Sequence, residues 1–122
     1  MLKGRIVRVR WSKNYASARN HVAIGLAEEV AGEYLLLKCR LFHFGRLVNG
    51  RCKFSEEPVA LRAVPWTRVE VINVLAEETD WMAEVTRDES GNLVLAGEER
   101  TIIARVSNNR TLTGRNGERK LC

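Results

Sequence analysis

The chain has 122 residues, of which 45% are hydrophobic, and a formal net charge of +5. This length supports one compact domain and is too short for two ordinary ones. There is no run of about 18 apolar residues and no signal-peptide core after the first methionine, so we expect a cytoplasmic protein without a membrane span.

The first predicted elements are strands. GRIVRVRW (4–11) alternates, with Val7, Val9 and Trp11 on one face, and a period of two is typical of a half-buried strand. HVAIGLAEEV (21–30) places large apolar residues on one face and small ones on the other, among them Gly25. Small residues let another backbone approach closely, so we expect a tightly packed neighbour at this strand.

EYLLLKCRLFHF (33–44) follows a turn at residues 31–33 and is long for a single strand. Such length indicates a strongly bent strand that is shared between the two halves of a small barrel. A helix over residues 25–39 competes with this interpretation, but Gly32 in its middle costs about 1 kcal/mol relative to alanine. We therefore favour two strands and a turn.

Turn signals divide the rest of the chain. Asn49-Gly50 predicts a two-residue hairpin, and Pro65-Trp66 predicts a corner between VALRAV (59–64) and TRVEVINVL (67–75). The second of these runs has apolar residues on both faces, so it is covered twice, by its own fold or by a neighbouring subunit. DWMAEVTR (80–87) and NLVLAG (92–97) flank another hairpin turn, and RTIIARV (100–106) is the last predicted strand.

These elements predict an all-β fold, a small and strongly bent barrel with an additional C-terminal hairpin. We place a single β-barrel domain at residues 1–106. Residues 107–122 are polar, basic and glycine-containing. We expect this tail to be disordered until it binds a partner.

The cysteines and histidines of the chain give little support to a catalytic site or a metal site. Cys39, Cys52 and Cys122 are an odd number without C-x-x-C spacing, which argues against a disulfide framework and a zinc site. His21 and His43 are the only histidines. Cys39 and His43 lie over about 13 Å apart along one strand, too far to share a metal ion or to form a nucleophilic pair.

We therefore predict no catalytic residue, no metal site, no cofactor and no small-molecule substrate, and so a protein that is not an enzyme. An enzyme that uses Cys39 or His43 is a third interpretation. It requires partner groups that the sequence does not show.

The charge of the chain is laid out in blocks. Residues 1–20 and 38–55 contain bases and no acid, whereas residues 56–101 hold eleven acids against four bases. Clustered Lys and Arg with interleaved aromatic residues are what a phosphate backbone requires, because neutralising phosphates releases condensed counterions. This layout favours nucleic acid as the partner.

Two segments carry the candidate contacts. In the first strand, Arg8 and Arg10 beside Trp11 could follow a phosphate backbone while the ring stacks on an unpaired base. In RLFHFGR (40–46), aromatic and guanidinium planes occur together, which suits a nucleobase; the candidates are Arg40, Phe42, His43 and Arg46. The alternative for Trp11 and Phe42 is packing in the core.

Residues 20–75 resemble the Sm-like (Sm/Hfq superfamily) small β-barrels. HVAIGLAEEVAGEYLLLKC (21–39) is similar to the two strands of the first Sm motif, and VALRAVPWTRVEVI (59–72) to the fourth strand, turn and fifth strand of the second. The resemblance implies an SH3/Sm-like barrel, closed rings in which the fourth strand of one subunit pairs with the fifth of the next, and single-stranded RNA bound at loops facing the pore. Leu61-Arg62-Ala63 stands where the family carries Lys-His or Arg-Gly, so Arg62 is carried over as a phosphate contact.

The prediction from the sequence is thus a homo-oligomeric Sm-like barrel that binds nucleic acid, single-stranded RNA above all. The rival is a non-catalytic structural or protein-interaction module, such as an assembly or phage component, whose basic blocks contact acidic subunit surfaces. The salt dependence of nucleic-acid binding distinguishes the two hypotheses, since affinity for nucleic acid falls steeply with ionic strength.

Overall fold

The computed structural model describes residues 1–13, 20–49, 51–104, 111–114 and 117–120. It describes the side chains of these residues except at positions 46–48, 51–52, 98–102, 111–114 and 117–120. The elements in chain order are β1 (Ile6–Trp11), β2 (His21–Val30), β3 (Tyr34–Val48), β4 (Arg51–Pro65), the 3-10 turn Trp66–Arg68, β5 (Val69–Val74), β6 (Val85–Arg87), β7 (Leu93–Leu95), β8 (Glu98–Ala104), β9 (Thr111–Gly114) and β10 (Gly117–Lys120). The all-β prediction is confirmed.

The strands form two principal antiparallel sheets. The main sheet has the order β4-β3-β2-β1-β5, and the C-terminal sheet has the order β6-β7-β8. No ladder joins β4 to β5 in the described part of the chain, so the two sheets are not closed into a barrel. Both edges of the main sheet remain open.

The long strands bend where the pairing register shifts. The register shifts in β2 between Ala27 and Glu29, and along the β3–β4 ladder between Cys39 and Leu41 and between Phe44 and Leu47. An extra residue on one strand increases the local twist and bends it. The segment that begins at residue 33 forms β3, a strand of 15 residues with two register shifts in its ladder to β4, and its expected sharing between two halves of a barrel stays a prediction.

The main sheet is apolar on both faces. Its inner face carries one buried cluster, which includes Val7, Val9, Leu37 and Cys39. Its outer face carries a second cluster, in which Ile24 and Phe42 pack against residues of the C-terminal sheet such as Leu93. A strand with period-two alternation and two apolar faces must be covered twice, and the C-terminal sheet is the second cover.

The predicted turns are confirmed. Asn49 has a φ of 52° and Val48 pairs with Arg51, as a two-residue hairpin requires. Gly91 has a φ of 84° in the turn between β6 and β7. The corner at Pro65-Trp66 is the 3-10 turn, and the Trp66 indole donates to the Ala31 carbonyl at 2.9 Å.

One face of β5 is covered within the single chain. Val69 and Ile72 pack against the inner cluster, whereas Val71 and Val74 are exposed by 41% and 48%, so cover by a neighbouring subunit stays a prediction for the second face. The predicted tail at residues 107–122 lies partly outside the described residues, which include the antiparallel pair β9–β10, and its disorder before binding stays a prediction.

In the described ranges, no helix is long and apolar enough to cross a membrane.

The close backbone approach predicted at β2 is present at Gly25. A Cβ atom at this position would lie 2.6 Å from the Cys39 Cα atom on the neighbouring strand. Gly25→Ala should therefore lower the free energy of unfolding by about 1–3 kcal/mol, the usual cost of overpacking. Urea denaturation measures the change.

Gly32→Ala is the matched control, because nothing lies within 4 Å of the position of its added Cβ. We expect this variant to unfold within about 0.5 kcal/mol of the wild type. Equal stability of the two variants would contradict the close approach at Gly25.

Candidate nucleic-acid interface

The main sheet separates the predicted nucleic-acid contacts onto its two faces. Alternation along β1 puts Arg8 and Arg10 on the face opposite the buried Val7 and Val9, which is the outer face. Arg40 and Phe42 also lie on the outer face, whereas Trp11, His43 and Arg62 lie on the inner face by the alternation of their strands. The side chain of Arg46 lies outside the described residues.

Arg40 joins the two sheets. Its side chain is 8% exposed and forms a bidentate pair with Glu56, with Nη2–Oε1 at 2.8 Å and Nε–Oε2 at 3.2 Å. Its Nη1 donates to the carbonyls of Trp81 at 2.9 Å and Ala83 at 2.6 Å. The guanidinium therefore fixes the segment that leads into β6 onto the outer face.

Arg8, on β1, also reaches the C-terminal sheet from the outer face. Its Nη2 donates to the Ile103 carbonyl at 2.9 Å and its Nη1 to Asn73 Oδ1 at 3.0 Å. Arg8 thus ties β8 and β5 together. Arg10, further along β1, donates to Asn20 Oδ1 at 3.3 Å and lies 3.9 Å from a Glu70 carboxylate oxygen.

The two predicted aromatic contacts have packing roles in this structure. Phe42 has no exposed surface, and its ring stacks on Phe44 with 6.3 Å between centroids. Trp11 is partly buried and packs against the inner cluster. The packing alternative therefore describes Phe42 fully and Trp11 in part.

A group of polar side chains gathers on the inner face, where β2 begins. We name it the basic rim; its members are His21, His43, Glu57, Arg62 and Arg68. The imidazoles of His21 and His43 meet edge to face with 4.5 Å between centroids. His43 Nε2 lies 2.9 Å from Glu57 Oε2, so β2, β3 and β4 each contribute one member to a continuous contact.

Arg62 is held by uncharged partners. Its Nη1 donates to the Cys39 carbonyl at 2.6 Å and its Nη2 to the Pro58 carbonyl at 3.0 Å. Carbonyls orient a guanidinium without cancelling its charge. The charge of Arg62 lowers the pKa of Glu57, which places the guanidinium within electrostatic reach of the rim carboxylate.

The surroundings of the rim lower the pKa of His21 and the pKa of Glu57. Burial lowers the pKa of His21, and the charges of His43 and Arg68 lower it further. The hydrogen bond from His43 is the largest cause that lowers the pKa of Glu57. At neutral pH the rim therefore combines an ionised carboxylate with two arginines and a neutral His21.

The Cys39 thiol is not poised for nucleophilic attack. Burial raises the pKa of Cys39, and the hydrogen bond from Arg62 opposes this only in part. A thiol that stays protonated is a poor nucleophile. Across the described segments, no group of three or more His, Cys, Asp and Glu residues is placed to hold a metal ion.

The prediction named His43 and Arg62 but missed His21, Glu57 and Arg68. His21 pairs directly with His43 because the register shifts between Ala27 and Glu29. A hairpin without that shift would pair His21 with Phe44, so the turn alone does not predict the contact. No pattern in the sequence indicates Glu57 either, because the register shift between Cys39 and Leu41 decides which residue of β3 lies opposite it.

A separate apolar groove of about 430 Å³ lies toward the β4 edge of the main sheet. It is lined by Glu28, Leu36, Lys38, Val59, Ala60 and Leu61. Leu61 is 61% exposed. The groove borders an open edge strand, which also offers unpaired backbone groups.

Arg40→Met should lower the free energy of unfolding by about 3 kcal/mol, because it leaves the Glu56 carboxylate and two carbonyls without their donor. The expected readout is an earlier urea midpoint together with a weaker near-ultraviolet signal from Trp81. Lys38→Met, an exposed position on the same strand, is the control. If both variants unfold at the wild-type midpoint, Arg40 does not join the sheets.

No protein-family model, curated protein or solved structure matches the chain. Since a fold by itself does not fix a function, the interpretation of the basic rim depends on its own side chains.

Proposed function

We propose that the chain binds single-stranded nucleic acid, RNA above all, as an Sm-like homo-oligomer whose basic rim contacts the phosphates. The observation that carries the proposal is the rim itself, in which His43 contacts the exposed Glu57 carboxylate, Arg62 acts on that carboxylate, and Arg68 acts on the adjoining His21. Guanidinium groups bind phosphate in a planar, bidentate geometry. The +5 net charge adds a general attraction for polyanions.

Trp11 is the aromatic candidate at the end of the main sheet where Arg68 lies. Trp11 precedes Ser12, whose amide donates to the Arg68 carbonyl at 2.7 Å, so the indole and the Arg68 backbone lie at the same end of the sheet. Base stacking on an aromatic ring is tolerant of sequence and is typical of single-strand binders. Phosphate contacts at the arginines and stacking at Trp11 together favour a single strand over a duplex.

The open sheet edges support the oligomer. β4 and β5 are the two edges of the main sheet, and each exposes apolar side chains, Leu61 on one and Val71 and Val74 on the other. An exposed edge with apolar side chains is a template for pairing with another chain. Pairing β4 of one subunit with β5 of the next is a head-to-tail contact, which closes into a ring when the rotation allows it.

The same edges favour the second candidate, a structural or protein-interaction module. The apolar groove beside β4 gives such a module a surface for a partner. It differs from the first candidate in that the basic rim then has no role in nucleic-acid binding.

The double variant Arg62→Gln/Arg68→Gln tests the rim. We expect wild-type affinity for a single-stranded RNA oligonucleotide to fall steeply with salt. The variant should bind more weakly, and its log-log salt slope should be smaller by about 1 for each phosphate that the protein no longer neutralises. Fluorescence anisotropy across a salt series measures both quantities.

Lys3→Gln/Arg87→Gln is the matched control, because it removes the same charge outside the rim. We expect it to retain the wild-type slope. If RNA fails to bind at low salt, or if both double variants bind equally weakly, nucleic-acid binding by the rim is refuted.

Leu61→Lys and Val71→Lys test the oligomer separately. A lysine on an edge strand blocks edge-to-edge pairing, so we expect either variant to reduce the mass of the wild-type assembly in light scattering of nuclease-treated protein. Lys53→Gln, an exposed change on β4, is the control. A wild-type protein that is monomeric at all concentrations would contradict the proposed assembly.

A further inference from the structure

The basic rim already contains an anion of its own. The Glu57 side chain is 53% exposed and reaches His43 through a single contact of 2.9 Å. A carboxylate oxygen and a phosphate oxygen accept the same charge-assisted hydrogen bonds. Glu57 therefore occupies a position that suits an oxyanion, and its exposure leaves it room to move away.

The two imidazoles that face this position are crowded with positive charge. His21 and His43 meet edge to face, Arg68 acts on His21, and Arg62 and Glu57 approach from β4. These are the titratable and charged groups that bear on the pair from β2, β3, β4 and the 3-10 turn. Two imidazolium ions at this separation repel each other, so an added negative charge favours the protonation of both.

Glu57 does not supply that charge to both rings. Its contact is with His43, and its influence on His21 is the smallest of those that act on that ring. A phosphate group has more acceptor oxygens and can accept hydrogen bonds from both imidazoles and from Arg62. It would therefore stabilise the protonated pair better than Glu57 does.

We infer that the basic rim is a proton-linked oxyanion site, which Glu57 occupies in the free protein and which a phosphate group of the bound strand takes over as the His21–His43 pair gains a proton. This inference rests on the proposed function for the identity of the ligand, but the anion site can be tested without nucleic acid.

The direction of the pH effect follows from the state of His21. Its pKa in the free protein is lowered from 6.5, so it is neutral at pH 7, and an anion at the rim raises that pKa. Binding therefore takes up a proton. The affinity should rise as the pH falls from the raised pKa of the bound state to the lowered pKa of the free protein, by up to about tenfold per pH unit for one proton gained.

The first experiment uses inorganic sulfate, which keeps its double negative charge between about pH 8 and pH 5, the range in which histidines titrate. The NMR titration curves of the His21 and His43 rings are recorded with and without sulfate. We expect sulfate to move both curves to higher pH. Curves that sulfate leaves unchanged would overturn the anion site.

The second experiment measures RNA-oligonucleotide affinity across the same pH range. His21→Asn/His43→Asn should abolish the gain in affinity at low pH. Glu57→Gln should bind about fivefold more tightly than the wild type near pH 7, since a competing charged hydrogen bond is removed. Glu89→Gln, an exposed carboxylate in the turn before β7, is the control and should leave both properties unchanged.

The outcomes separate the two proposals. RNA binding whose affinity does not change with pH, or whose pH dependence survives in the double histidine variant, refutes the proton link and leaves the proposed function standing. Sulfate-dependent titration of the histidines with no RNA binding at any pH supports the oxyanion site and refutes nucleic acid as its ligand. Circular dichroism confirms that each variant is folded before its affinity is compared.

Discussion

Burial of both faces of one antiparallel sheet is the constraint on which the rest of this structure depends. In β2, Ala23 and Ala27 belong to the inner cluster while Val22 and Ile24 belong to the outer one. A sheet of this kind cannot leave either face in water. Residues of β5 and the 3-10 turn pack on the inner face, and the C-terminal sheet covers the outer face.

The same constraint decides what the basic residues do. An arginine on a covered face needs acceptors when it is desolvated, and Arg8 and Arg40 find them in carbonyls of the covering segment. Arg62 instead lies on the inner face near a sheet edge, where carbonyls orient it and its charge persists. Basic residues that look equivalent in the sequence thus divide into one group that joins the layers and another that forms the basic rim.

The two open edges and the basic rim give the proposed function a consistent geometry. Assembly through β4 and β5 would repeat the rim in every subunit, and repeated weak phosphate sites along a strand gain affinity from multivalency. The proton-linked site would make that gain sensitive to pH, because each subunit would contribute one histidine pair. Both statements follow from the proposals and are tested with them.

The sequence by itself determined the local structure. Period-two alternation located β1 and β2, Asn49-Gly50 located the hairpin between β3 and β4, and Gly25 marked a close approach of strands, since these features depend on near neighbours in the chain. His43 and Arg62 were also identified as candidates. Only the tertiary structure decided that Arg40 and Phe42 are covered and that Glu57 joins His21 and His43. Arg40 and Phe42 are covered by the C-terminal sheet, which is remote from them in the chain. The position of Glu57 depends on the register shift between β3 and β4, which exists only once the two strands are paired.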